Sequence, residues 1–370
     1  MTPEREVTAM SQRVQAAVFD GKGGCEIREF PMPSPPRGGA VLKVAASGMC
    51  GSDVAQFHGH KHVPGEVSPV VPGHEIVGTI HEITPEAAAD WGVEAGDLVC
   101  VSEVVSCGRC KGCMGGGPCG NIRVYGYTFP TDANGGPWGG YGQYMGLLPG
   151  SQVMKAPPGL TPAELTVFEP LANALNWIDM LRVVPGDRVV VQGPGHQGLL
   201  CAAAALAYGA AQVIVTGAAG DGLRLRTARE LGAHDTVDAS ETDVIAAVAE
   251  LTEGDMADVV LDVSPSPHTT TAALELARVG GRVGLAGLKG LTPNPKLVTD
   301  LIVLKMLRVV GCAGPTRASM PQSVRLLGDR PDIGRVMAGE HVSLETVEYG
   351  LDLLQRRVPG QDAVHVTLVH

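Results

Sequence analysis

Residues 188–210 read RVVVQGPGHQGLLCAAAALAYGA. The first six form a continuous apolar run that suits a buried strand, and 197–210 suit a helix. Between them lies Gly193-Pro194-Gly195-His196-Gln197-Gly198, a G-x-G-x-x-G turn. Such a turn carries meaning only between a strand and a helix, and here it has both. Gly193 allows the tight turn, Gly195 lets backbone come close to a pyrophosphate, and Gly198 lets helix and strand pack closely. His196 and Gln197 occupy the variable positions. The helix N-terminus then faces the phosphates of a dinucleotide.

Outward from this turn the texture repeats. Strands are expected at 212–217, 257–264, 281–288 and 308–312, with a helix at 224–233 ending near Gly232. Buried apolar strands separated by helices indicate a parallel sheet covered on both faces. The second strand ends Val215-Thr216-Gly217 with no carboxylate. An acid at that tip normally takes the adenosine ribose hydroxyls of NAD. The nearest acid is Asp221, and Arg224 and Arg226 follow, either to meet a 2′-phosphate or to form a solvated helix face. NAD and NADP therefore both stay open.

Toward the N-terminus the chain reads as β-rich. Strands are expected at 14–20, 40–47 and 96–103, an extended loop at 31–39, and no helical periodicity before about 162. There Thr161 caps a helix whose first turn holds Pro162 and Glu164. The segment 315–370 carries an amphipathic helix near 320–328 and a strand-like end, AVHVTLVH.

The chain has 370 residues, which suggests two domains. Its net charge of −11 argues against nucleic acid or an anionic membrane as partner. The longest apolar run, 199–211, is too short to span a bilayer. Residues 1–10 read as a loose tail without the apolar stretch of a signal peptide. Nine cysteines with no export signal argue for a reducing, cytoplasmic setting rather than a disulfide framework.

Two groups of residues suit zinc. Cys107, Cys110, Cys113 and Cys119 fall within thirteen residues, and four thiolates so close can surround one tetrahedral ion. Reduced free thiols or a nucleic-acid-binding ribbon are the other readings, the latter opposed by the acidic charge. The second group is dispersed: Cys50 in GMCGSD, His74 and Glu75 in PGHE, and Glu169 in FEPL. Thiolate, imidazole and carboxylate are the ligands of an open catalytic zinc site. Nothing in their spacing requires them to meet.

Together, GMCGSD (48–53), PGHEIVG (72–78), GDLV (96–99), the four cysteines, FEPLANAL (168–175) and GPGHQG (193–198) resemble the zinc-containing medium-chain dehydrogenase/reductase superfamily, in its sorbitol/threonine dehydrogenase-like branch. The resemblance covers about residues 14–370. It implies an α/β fold in which a GroES-like β-rich catalytic domain (11–165 and 315–370) is interrupted by a Rossmann doubly wound parallel-sheet domain (166–314). It implies a catalytic zinc on Cys50 and His74 with Glu75 or Glu169, a structural zinc on the four clustered cysteines, and NAD or NADP on the glycine turn with Gly217, Asp221 and Arg224 beside it. Ser52 would accept the proton of the alcohol, and Glu75 would act at the same centre. The activity implied is hydride transfer between a secondary alcohol or polyol, or the matching ketone or aldehyde, and NAD(P), in a homodimer or homotetramer with RVVGC (308–312) as an edge strand at the interface.

Two departures from that pattern stand out. Ala55 occupies the position where many relatives carry a relay histidine, while His58, His60 and His62 read as exposed loop residues. The third and fourth lobe cysteines are separated by five residues instead of seven. Phe57, Tyr127, Trp138 and the region around Leu288 are candidate pocket residues. A zinc-free quinone or enoyl reductase, or a cofactor-binding protein with a vestigial metal site, are the competing readings. The complete ligand set and Ser52 oppose both.

Overall fold

The computed structural model describes residues 12–115, 119–134, 136–290 and 297–370; the N-terminal tail read from residues 1–10 lies outside them. The chain divides into two compact units. One runs to Ala156 and takes back His341–Gln355 and Thr367–His370; the other comprises Pro157–Glu340 and Arg356–Val366.

The first unit contains strands β1 (Arg13–Phe19), β2 (Cys25–Pro31), β3 (Ala40–Met49), β4 (Glu75–Ile83), β5 (Leu98–Val101), β6 (Val104–Val105), β7 (Arg123–Val124), β8 (Tyr144–Leu147) and β9 (Val153–Lys155). Strands β3, β4, β5 and β9 pair antiparallel in that order, with β8 also on β3. The apolar side chains of β3, β4 and β5 form a core with Tyr125, Phe129 and Trp138. Strand β4 overlaps the PGHE motif and went unread as a strand. Three short helices also interrupt this unit, correcting the expectation of none before 162: α1 (Gly51–Phe57), α2 (Pro85–Trp91) and α3 (Lys111–Met114). Seven residues or fewer are too short to show a 3.6-residue period. Their caps mark them instead. Thr84 accepts the Ala87 N–H, Pro85 opens α2, and Gly92 closes it with φ 66°.

The second unit contains α4 (Pro162–Leu165), α5 (Phe168–Met180), β10 (Arg188–Gln192), α6 (His196–Ala207), β11 (Gln212–Gly217), α7 (Gly222–Glu230), β12 (Asp235–Asp238), α8 (Val244–Leu251), β13 (Ala257–Asp262), α9 (Thr269–Leu276), β14 (Ala277–Leu285), α10 (Asp300–Leu304), β15 (Arg308–Gly311) and α11 (Ser319–Asp329). As expected, Thr161 caps α4, in a reciprocal capping box with Glu164. The six strands are parallel in the order β12-β11-β10-β13-β14-β15. That is the doubly wound 3-2-1-4-5-6 order, with its reversal point between β10 and β13. Two further strands, β16 (Glu340–Val342) and β17 (Val366–Val369), continue the first unit's sheet on the far side of β3, giving β16-β17-β3-β4-β5-β9.

Candidate functional site

Cys50 ends the turn after β3 and caps α1. Its thiol accepts the Ser52 N–H, while the Asp53 carboxylate accepts the Cys50 N–H at 2.8 Å. This reciprocal cap fixes both side chains. His74 immediately precedes β4, after Gly73 at φ 92°, where an added Cβ would lie 2.4 Å from the Tyr141 ring. Only glycine fits that turn. The pairing of β3 with β4 places Gly48 opposite Glu75, so Cys50 and His74, 24 apart in sequence, converge.

Cys50 Sγ lies 3.4 Å from His74 Nε2, and Ser52 Oγ lies 2.9 Å from the sulfur and 3.5 Å from that nitrogen. The other ring nitrogen, Nδ1, is 3.5 Å from Asp53 Oδ1. A ligand histidine is oriented in this way by a carboxylate behind it. Glu75 is fully buried; it brings a carboxylate oxygen within 4.8 Å of the Cys50 sulfur and, separately, one within 4.8 Å of a His74 ring nitrogen. Sequence reading put Tyr127 among the pocket residues, but its hydroxyl is part of the cluster, 2.7 Å from Ser52 Oγ and 3.3 Å from His74 Nδ1. Glu103 was missed altogether. It is buried, and burial pushes its carboxyl up to about 7, partly offset by His74. Burial likewise raises the Cys50 thiol. A thiol, an imidazole and a carboxylate held this close fit a small soft-to-borderline cation such as zinc.

The four clustered cysteines also converge. Their sulfurs all lie within 4.8 Å of one another, and none is in a disulfide. The five-residue spacing before Cys119 is therefore enough to close the ring. Cys110 accepts the N–H groups of Cys113 (3.4 Å) and Gly120 (3.3 Å), which hold its thiol down at about 6. Cys119 accepts those of Cys107 and Asn121, both at 3.4 Å. Burial pushes Cys113 up to about 11.

In the second unit Gly193 closes β10 at φ 102°, and a Cβ on Gly198 would sit 1.9 Å from the Gly193 carbonyl. A Cβ on Gly195 would meet nothing within 4 Å, so its backbone borders open space. Both properties suit a pyrophosphate-binding turn. His196 opens α6, its ring 5.9 Å from that of His365. Gln197 instead ties the turn to α5, donating to the Pro170 carbonyl at 2.9 Å. Glu169, in the first turn of α5, is buried and accepts from Asn173 at 2.8 Å. Gly217 ends β11 as expected. Asp221 accepts the Ala218 N–H at 2.8 Å and contacts Arg356 and Arg224. Arg224 is buried, donating to the Ala363 carbonyl (2.9 Å) and pairing with Asp362 (3.1 Å). The solvated-face reading holds for Arg226 and fails for Arg224.

Among the remaining pocket candidates, Trp138 belongs to the core, stacked on Phe129 at 5.0 Å, and Phe57 meets Phe19 edge-on. Leu288 is exposed. His58, His60 and His62 are exposed as read. Asp97 is a turn acid paired with Lys155 at 2.7 Å.

Comparison with known proteins shows the family. Residues 36–158 match the alcohol dehydrogenase GroES-like domain and residues 198–329 the zinc-binding dehydrogenase family. The chain is 38% identical over 323 residues to the "Probable alcohol dehydrogenase adh" of Mycobacterium tuberculosis, covering 85% of this chain and 87% of that one. The chain belongs to the zinc-type medium-chain dehydrogenase/reductase family. Its relatives also include the L-threonine 3-dehydrogenase of Pyrococcus horikoshii, 31% identical over 82% of this chain and 84% of that one. The crystal structure of an alcohol dehydrogenase from Thermotoga maritima superposes with a TM-score of 0.87 at 27% identity, over 97% of this chain and 99% of that one. This medium-chain dehydrogenase is thus a zinc-type, NAD(P)-dependent oxidoreductase of alcohols or polyols, with a GroES-like domain and a Rossmann-type domain.

Proposed function

We propose that Cys50 and His74, with Glu75 or Glu169 as third ligand, hold the catalytic zinc, and that the substrate is a secondary alcohol or polyol or the matching ketone. The observation that carries this reading is the approach of Cys50 Sγ to His74 Nε2 at 3.4 Å with the Ser52 hydroxyl against both. Zinc would supply Lewis-acid stabilisation of the deprotonated alcohol, and the nicotinamide the hydride acceptor. The protein's own part is positional. Asp53 orients His74, and Ser52 takes the alcohol proton. The Tyr127 hydroxyl, 2.7 Å from Ser52, fixes the orientation of that serine. The turn Gly193–Gly198, with Gly217, carries the dinucleotide, and Asp221 and Arg224 brace its adenosine side. In this reading 166–314 serves the cofactor, while 11–165 with 315–370 serves the chemistry. Metal analysis of purified protein tests it: about two zinc ions per chain are expected, one from each cluster. A zinc-free protein with full activity refutes the assignment.

Cys107, Cys110, Cys113 and Cys119 would hold the second, structural zinc. The same reading places the enzyme in the cytoplasm, where thiols stay reduced. It makes it a homodimer or homotetramer acting on small molecules, with no nucleic-acid or membrane partner. No helix among the described residues is long and apolar enough to cross a membrane. Strand β15 is a sheet edge, and Val303, Leu304 and Met306 beside it are exposed. An open apolar edge of this kind suits pairing with a second copy. Sedimentation as a monomer at micromolar concentration would refute that part.

A further inference from the structure

Asp262 is the last residue of β13 and is fully buried. Its Oδ1 accepts from Lys289 Nζ (3.0 Å), Thr269 Oγ1 (2.8 Å) and the Ser264 N–H (3.2 Å); its Oδ2 accepts from Thr270 Oγ1 (3.2 Å). Lys289 Nζ also donates to the Ser264 carbonyl and lies 3.2 Å from Thr269 Oγ1. An ammonium has three protons, and three acceptors surround this one. The Asp262 carbonyl takes the N–H groups of Ala286 and Gly287, both at 2.9 Å. A Cβ on Gly287 would sit 2.1 Å from the Ser264 carbonyl, so the two segments are in backbone contact. Lys289 and Asp262 therefore clamp the segment after β14 onto the turn after β13.

The place of this clamp is informative. Beside it, the Val263 N–H bonds the Gln192 carbonyl at 3.0 Å, and a Cβ on Gly193 would lie 3.0 Å from the Ser264 nitrogen. The turn it fixes touches the first glycine of the dinucleotide loop, on the β13 side of the strand-order reversal. A dinucleotide crosses that crevice with its pyrophosphate on the β10–α6 turn and its adenosine ribose at the tip of β11. The nicotinamide half then falls on the side of β13 and β14. Leu288, next to the clamping lysine, is 66% exposed and offers an apolar face there.

We propose that the Asp262–Lys289 pair is a positioning latch that fixes residues 286–290 as the wall for the nicotinamide half of the dinucleotide. The proposal rests on the dinucleotide reading of Gly193–Gly198. A buried carboxylate paired with a partly covered ammonium is costly to hold out of water, and replacing such a pair by neutral groups is often tolerated by the fold. Its worth here lies in where it holds the segment.

The test is calorimetric titration of full-length protein with NADH and NADPH, and in parallel with ADP-ribose and its 2′-phosphate, which lack the nicotinamide. Lys289→Met is expected to weaken the dinucleotide that the wild type prefers by ~10-fold, about 1.4 kcal/mol, and the matching ADP-ribose by less than ~2-fold. The double variant Asp262→Asn/Lys289→Met leaves no lone buried charge and carries the same expectation should the single variant misfold. Wild-type affinity in the folded variant, or equal loss for both ligands, overturns the latch. A wild-type protein that binds none of the four ligands overturns the dinucleotide reading instead.

Discussion

The first unit holds two clusters of side chains that could hold a metal ion, built on opposite plans. The four-cysteine lobe draws its sulfurs from positions 107–119 and orients them with backbone N–H groups of the same loop, around a helix of only four residues. The Cys50–His74 cluster draws on α1, the turn before β4 and the segment that bears Tyr127, brought together by strand pairing and a buried cap. In the lobe, hydrogen bonds hold Cys110 at about 6; in the sheet, burial raises Cys50. A local cluster ready to act as ligand suits a staple. A buried cluster with a hydroxyl group held against it, that of Ser52, suits chemistry.

Mutations separate the two plans. The largest effect is expected from Cys50→Ala or His74→Ala: steady-state turnover should fall by at least ~10³-fold, with dinucleotide binding and melting temperature nearly unchanged. Retained activity would show that these residues are not at the chemical centre. Ser52→Ala should lower kcat by about 10²-fold, and Tyr127→Phe by less, roughly 10-fold, since it acts through Ser52. If Tyr127→Phe exceeds Ser52→Ala in its effect on kcat, that order of action is wrong. Cys110→Ser should do the reverse of the first pair. It should remove one of the two expected zinc ions and cost about 2–4 kcal/mol in thermal unfolding, with turnover per remaining zinc preserved. An unchanged melting temperature and metal count would mean the lobe is no staple. Thr161→Ala lies outside both clusters and sets the floor: loss of its cap should cost about 1 kcal/mol in thermal unfolding and leave zinc content and kcat unchanged.

The same contrast explains what could be read from the sequence. The lobe, the glycine turn and five of the six parallel strands are local patterns, visible as spacing or as an apolar run; β12, the short and polar DTVD, was not. The meeting of Cys50 and His74 was expected only through resemblance, because the β3–β4 register that joins them leaves no local trace. Strand β4 was hidden under a motif read for its chemistry. The partnership of Tyr127 with Ser52, 75 residues away, and of Lys289 with Asp262, 27 residues away, is set by the path of the chain. Arg224 stood open between a 2′-phosphate contact and a solvated helix face, and the segment around Asp362 and Ala363 covers it.

Strand β17 adds a consequence in time. Residues Val366–Val369 are an interior strand of the first unit's sheet, between β16 and β3, and Val366, Thr367 and Leu368 are fully buried. During synthesis, β8 covers only Ala40–Lys43 on that edge of β3, and the rest of the edge must wait while more than three hundred further residues are added, the whole parallel sheet among them. All six strands of the parallel sheet are therefore made before the first unit's sheet can be finished. A nascent chain stopped a few residues short of 366 would lack the strand that completes its sheet.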